Sequence, residues 1–189
     1  MEEIVQDPAL DEQIGIVARR VSRRGGEELR RVIGLSLHSE VGVPAALEAF
    51  RARNTDLIVS LARRQIDDLI PILEEAERTG LRVEDLTDQI RERFQVAESR
   101  AELLARDQTL KLSGQLNQMR QQNAGIEQYT WSTSQDERVR PVHAELDGTI
   151  QSWASPPVVS EDGRTGHPGD DYQCRCVAIP ILPSDQDLE

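Results

Sequence analysis

Three observations predict an α+β fold, in which an extended helical N-terminal region leads into a small β-containing C-terminal module. Up to about residue 125 the chain is built largely from Arg, Glu, Leu and Ala, with apolar residues recurring three and four apart. From Tyr129 onward the texture changes to short β-prone runs separated by Pro, Gly and Asp. Both tryptophans, both tyrosines, both cysteines and two of the three histidines fall between Tyr129 and Val177. The division expected is a helical partner-binding region over 1–125, a compact module over 126–183 and an acidic tail over 184–189.

Residues 9–37 read as two short helices broken at Gly25-Gly26, the second carrying Leu29, Val32, Ile33 and Leu37. Val43-Pro44 opens a further helix, with proline at a favourable first position. Asn54 or Thr55 offers a side-chain oxygen to cap the next. Leu57, Ile58, Leu61, Ile66, Leu69, Ile70 and Leu73 mark its apolar face, and Pro71 is expected to kink or split it. Thr79-Gly80 is a stop, and Val83-Glu84-Asp85 starts a helix that continues through Phe94. The longest helix is expected from Ala97 to about Asn123, on a narrow stripe of Ala97, Ala101, Leu104, Gln108, Leu112, Leu116 and Met119. Ser113-Gly114 weakens its middle, at about 1 kcal/mol for the glycine relative to alanine.

After Gly125, Tyr129–Thr133 alternates as a strand. A short helix follows over Glu137–Leu146 with Pro141 in its first turn, then a tight turn at Asp147-Gly148. Thr149–Trp153 is a second strand, Ser155–Asp171 a loop, and Cys176–Leu182 a third strand that Pro180 either confines to an edge or ends early.

Composition narrows the function. At 38% hydrophobic and 3% aromatic the chain is lean, which favours a helical, elongated shape over a thick globule. It holds no run of about 18 apolar residues, so no membrane partner is expected. The acidic N-terminus has no apolar core of an export signal, which predicts a reducing cytoplasm and free thiols or metal thiolates. The net charge is -12, and the stretch from Glu127 onward carries four Arg against twelve Asp and Glu. Such a module repels phosphate, so any contact with DNA is expected to be weak and to fall on helical arginines such as Arg19, Arg20, Arg23 and Arg24. The same cluster also reads as a solvated face balanced by Glu27 and Glu28.

Four candidate metal ligands sit in the module: His143, His167, Cys174 and Cys176. Zinc takes four N/S ligands in a tetrahedron, and a closed set of four is structural. A module with so thin a core would gain from such a clip. The C-x-C spacing puts both thiols on one side of an extended chain. The same four residues also fit a metal-free reading, with hydrogen-bonded histidines and two buried thiols. A rival reading makes Arg138, Arg140 and His143 a phosphodiester-cleaving site, with Glu137 or Glu145 as partner. Against it stand the acidic surroundings, and Arg138 and Arg140 are equally suited to pair with Asp136, Asp147 or Asp170. Trp131 and Trp153 are expected to share a core. Asp136 is expected to cap the short helix, and Asp147 with Gly148 to turn the chain after it.

The segment W-S-T-S-Q-D-E-R-V-R-P-V-H-A-E-L-D-G, from Trp131 to Gly148, and the ending G-H-P-G-D-D-Y-Q-C-R-C, from Gly166 to Cys176, resemble the phage Mu F-like head morphogenesis proteins, the minor head proteins of tailed bacteriophages. The preceding A-R-D-Q-T-L-K-L-S-G-Q-L-N-Q-M-R-Q-Q and the segment F-R-A-R-N-T-D-L-I are similar to the same family. The resemblance runs from about Phe50 to Pro183 and is specific in the last third. It implies a virion component rather than an enzyme: a few-copy protein of the head interior near the portal vertex, made in the host cytoplasm. Portal protein, major capsid protein or both would be its partners, in head assembly, DNA packaging or ejection. The alternative class is a phage-borne nuclease or toxin-like enzyme built on Arg138, Arg140 and His143.

Overall fold

The computed structural model describes residues 8–33, 40–80 and 82–182. Three long helices come first: α1 (Pro8–Ile33), α2 (Val43–Thr79) and α3 (Val83–Asn123). The module that follows contains β1 (Gln128–Ser132), α4 (Pro141–Leu146), β2 (Ile150–Ser152) and β3 (Val177–Ile181). The fold is therefore α+β, with the sheet confined to the C-terminal third. The expected position of Leu37 and the acidic tail lie outside the described residues.

The helices are longer and fewer than the sequence punctuation suggests. Gly25-Gly26 lies inside α1 and leaves it unbroken. The two glycines make room for a neighbour: a Cβ on Gly26 would lie 3.4 Å from the Arg120 guanidinium carbon. Arg120 is buried there, bonded to Ser22 Oγ at 2.9 Å and to both carboxylate oxygens of Glu40 at 3.1 Å. Asn54 and Thr55 do not cap a new helix. They sit within α2 and turn back onto the carbonyls of Phe50 (2.8 Å) and Arg51 (3.1 Å). Pro71 does not split α2 either. It lies on the exposed side, so its ring faces away from α3, and packing between the helices offsets the lost hydrogen bond. The helices expected over Val83–Phe94 and Ala97–Asn123 are one, since nothing between them supplies a breaker. Gly80 and Gly125 do end helices, with φ of 65° and 74° in the left-handed region that glycine tolerates.

α2 and α3 run antiparallel, and α1 covers the end where they start and finish. Ile14, Ala18, Val43, Ala46, Phe50, Leu112 and Leu116 form the core there. Asp11, near the start of α1, receives Thr55 Oγ1 at 3.2 Å and pairs with Arg51. Past this point α2 and α3 continue as a two-helix arm, with Arg93 bridging Asp68 at 2.7 Å. The arm leaves Ile58, Ile70, Leu73 and Leu103 exposed. No helix among the described residues is long and apolar enough to cross a membrane.

The sheet has the order β2-β1-β3 and is antiparallel throughout, so the proline-containing third strand is an edge as expected. Tyr129 and Trp131 alternate onto one face and are completely buried, with Trp153, Val159, Cys174, Cys176 and Ala178 around them. The two tryptophans thus share a core. A polar stripe on α3 holds this module. Asn117 and Gln121 both donate to the Ala178 carbonyl, at 3.0 and 2.9 Å, and Gln121 Oε1 accepts the Trp153 indole N–H at 3.2 Å. Gln121 is completely buried. Stranding the Trp153 N–H would cost about 1–3 kcal/mol, more than the 0–1 kcal/mol of an exposed pair such as Arg78–Glu75.

Gly114 marks a close approach of helix and module. A Cβ there would lie 2.5 Å from the Pro168 carbonyl oxygen and 3.1 Å from Gly169 Cα. In an isolated helix Gly→Ala gains about 1 kcal/mol. Here Gly114→Ala is expected to destabilise by about 1–3 kcal/mol, because two backbones must separate. Denaturant unfolding of the two proteins reads the sign, and a more stable variant would show that the approach is not tight.

Candidate metal centre

Two segments build the centre. Arg140-Pro141 starts α4, with proline preset for the first helical position, and the one-and-a-half turns that follow place His143 on the buried side. Cys174 and Cys176 lie in the extended approach to β3, two residues apart and on the same side of the chain. Arg175 between them points away and pairs with Asp136, one nitrogen lying 2.6 Å from Oδ1. The approach is fixed from α3: buried Asp107 accepts the Gln173 N–H at 2.7 Å, which holds Gln173 at a φ of 53° just before Cys174.

The ligand atoms of His143, Cys174 and Cys176 lie within 4.8 Å of one another, and all three residues are buried. His143 Nδ1 is 3.7 Å from the Cys174 sulfur and 3.5 Å from the Cys176 sulfur. Nε2 lies 3.1 Å from the Val159 carbonyl, which only accepts, so Nε2 carries the proton and Nδ1 turns its lone pair to the sulfurs. Asp171 Oδ2 is 3.6 Å from the same Nε2. A histidine whose second nitrogen is held by a carbonyl or carboxylate is the usual form of a metal-ligating imidazole.

The electrostatics favour thiolate at this point. A hydrogen bond from the Cys176 thiol, the neighbouring His143 imidazole and the Gly169 N–H push the Cys174 thiol far below its ordinary range despite burial. The Cys174 thiolate and burial push Cys176 up, and the Trp131 indole opposes this. That indole N–H is buried and has no hydrogen-bond partner of ordinary geometry among the described residues. It suits a thiolate at Cys176, as metal ligation would make it. The Cys174 thiolate also raises His143, against its burial. The three residues form a group that could hold a metal ion.

The expected fourth ligand is elsewhere. His167 Nδ1 is 2.8 Å from the Tyr129 hydroxyl, and its ring packs 4.8 Å from the Trp153 ring. Burial pushes it toward the neutral form. It pins the G-H-P-G turn to the aromatic core, with its own N–H donated to Asp170 Oδ2 at 2.7 Å.

Other motif residues are tied into the loops. Arg140 donates to the Tyr172 carbonyl at 2.6 Å and pairs with Asp171 at 3.3 Å. Asp171 was not among the acids expected for it. Burial works against this carboxylate, but the Tyr172 N–H, Arg140 and Arg164 outweigh it and hold it below the usual range. Asp136 does not cap α4, whose N-cap is Arg140; it accepts the Arg138 N–H at 3.1 Å and pairs with Arg175. Asp147 accepts the Thr133 N–H at 2.7 Å, and Gly148, at φ 74°, turns the chain.

The Arg175 hydrogen bond lowers Asp136 from 3.8 to about 2. A depressed carboxylate stabilises the fold above its unfolded value, and this contribution disappears as pH falls from about 4 to about 2. Asp136→Asn should therefore be less stable than the parent at neutral pH and approach it as pH falls below about 2. Thermal melts across that window read the difference, and a gap that persists at the acid end would mean that the pair is not its source.

Comparison with known proteins agrees with the motifs. The chain is 38% identical over 152 residues to an uncharacterized protein of Haemophilus influenzae, an overlap of 80% of this chain and 33% of that protein. The chain thus spans about a third of that relative's length. No solved structure matches. The sequence profile of the phage Mu protein F like proteins matches residues 70–179, from the outer half of the arm through the Cys174–Cys176 segment to β3, and the chain belongs to that family.

Proposed function

We propose that the protein is a minor head protein of a tailed bacteriophage, seated in the head interior near the portal vertex, with a role in head assembly, DNA packaging or ejection. The family match over residues 70–179 carries this reading. The α2–α3 arm is the docking element for portal or major capsid protein, because it projects beyond α1 and leaves Ile58, Ile70 and Leu73 exposed. The C-terminal module is the rigid part. DNA contact is weak and belongs to the exposed Arg19, Arg20, Arg23 and Arg24 of α1.

The surroundings of His143 support a non-enzymatic role. The imidazole is buried, with Nε2 at the Val159 carbonyl and Nδ1 at the two sulfurs. Arg140 is held by the Tyr172 carbonyl and the Asp171 carboxylate.

Zinc held by His143, Cys174 and Cys176 fits the donor set and ties α4 to the start of β3. It would act as a staple for a module whose core is seven side chains.

Co-sedimentation with assembled portal tests the docking reading. Ile70→Asp with Leu73→Asp should abolish binding and leave the module folded; unchanged binding would remove the arm from the interface. The same protein should bind duplex DNA only weakly and release it with added salt. For zinc, the reduced protein should contain about one ion per chain, lost in Cys174→Ser. A chelator should lower its melting temperature, and identical melts with and without chelator would exclude the staple.

A further inference from the structure

The three ligands leave one tetrahedral position to fill, since zinc takes four. His167, the fourth ligand expected from the sequence, and Asp171, whose Oδ2 is 3.6 Å from His143 Nε2, are the side chains to consider for it. His167 is engaged by the Tyr129 hydroxyl and packs against the Trp153 ring. Asp171 is on the Nε2 side of His143, whereas the sulfurs are on the Nδ1 side, and Arg140, Arg164 and the Tyr172 N–H already hold its oxygens. Neither carboxylate nor second imidazole is therefore presented to the sulfurs.

A small cavity is. His143, Cys174 and Cys176 all line it, together with Ser134, Arg138 and Arg140, and its volume is about 20 Å³. This is room for a single water molecule or monatomic ion. A divalent ion with two thiolates and a neutral imidazole carries no net charge. An added anion makes the centre negative; Arg140 on the cavity wall is already paired with Asp171, and the exposed Arg138 guanidinium beside it offsets that charge.

We infer that this cavity is the fourth coordination position: the centre binds its metal through His143, Cys174 and Cys176 and takes one small exchangeable ligand, water or a monatomic anion, beside Arg138 and Arg140. The inference rests on the zinc reading above and changes its character. A site closed by four side chains is inert, whereas three protein ligands leave the metal accessible to one ligand from solution.

X-ray absorption at the zinc edge of the full-length, reduced, zinc-loaded protein tests it, with bromide as probe. The expected spectrum contains two sulfurs, one imidazole and one light atom, and excess bromide replaces the light atom with a heavy scatterer. Arg138→Gln, a surface change, should keep the zinc and need several-fold more bromide for the same replacement. Zinc bound with two imidazoles, or with a carboxylate, and no bromide signal would overturn the open position and leave the zinc reading standing. Absence of bound zinc would overturn both.

Discussion

α3 faces two ways, and the rest of the molecule is arranged around that. Leu112, Leu116 and Met119 pack toward α1 and α2. Asp107, Gly114, Asn117 and Gln121 turn toward the module. Their spacing of seven, three and four keeps them on one side of a helix. The first side is ordinary apolar packing. The second is polar, with each group matched to a backbone or indole partner, so its burial incurs no unpaired-group penalty. Unlike apolar packing, directional bonds fix where the Cys-bearing segment lies along α3. Asp107 sets Gln173, Gly114 admits the Pro168-Gly169 turn, and Gln121 seats Trp153 and β3. Side chains on a single helix thus position the segment that carries both cysteines.

This arrangement explains what was legible in the sequence. The strand order could not be read, but the strands themselves could, because Tyr129 and Trp131 alternate and Pro180 cannot donate into a ladder. The apolar stripe of α3 was visible at Leu112 and Leu116. The polar stripe was not, since a satisfied buried glutamine or aspartate has the same sequence signature as a surface one. Glycine was misleading in both helices for one reason. Gly25-Gly26 and Gly114 look like breaks or weak points, yet each marks a close approach, by Arg120 and by Pro168. The local helix penalty of about 1 kcal/mol is real, but packing decides the outcome. The same holds for Pro71 on the outer side of α2.

The site was legible in its residue types and not in its grouping. C-x-C put the two thiols together through backbone geometry alone, and His143 joined them through α4. His167 shares a loop with the cysteines in sequence, yet its ring is drawn away by the Tyr129 hydroxyl and Trp153. Aromatic neighbours at the strand positions compete for a histidine in a way that spacing does not reveal. Asp171, absent from the expected set, is the carboxylate that stands behind His143.

One conflict inside the site bears on whether a metal belongs there. Two sulfurs sit 3.7 and 3.5 Å from a single imidazole nitrogen, and Nε2 is committed to Val159. One lone pair can accept from one thiol. The second sulfur must then hydrogen-bond the first, which is what drives the two thiols apart in acidity. The Trp131 indole, meanwhile, is an N–H with no ordinary acceptor, beside a Cys176 that would remain a neutral and weakly accepting thiol. A divalent ion bound there would remove all three difficulties together. It would take the imidazole lone pair, hold both sulfurs as thiolates, and leave the indole N–H a negatively charged acceptor. His143, Cys174 and Cys176 are thus arranged as a group that could hold a metal ion.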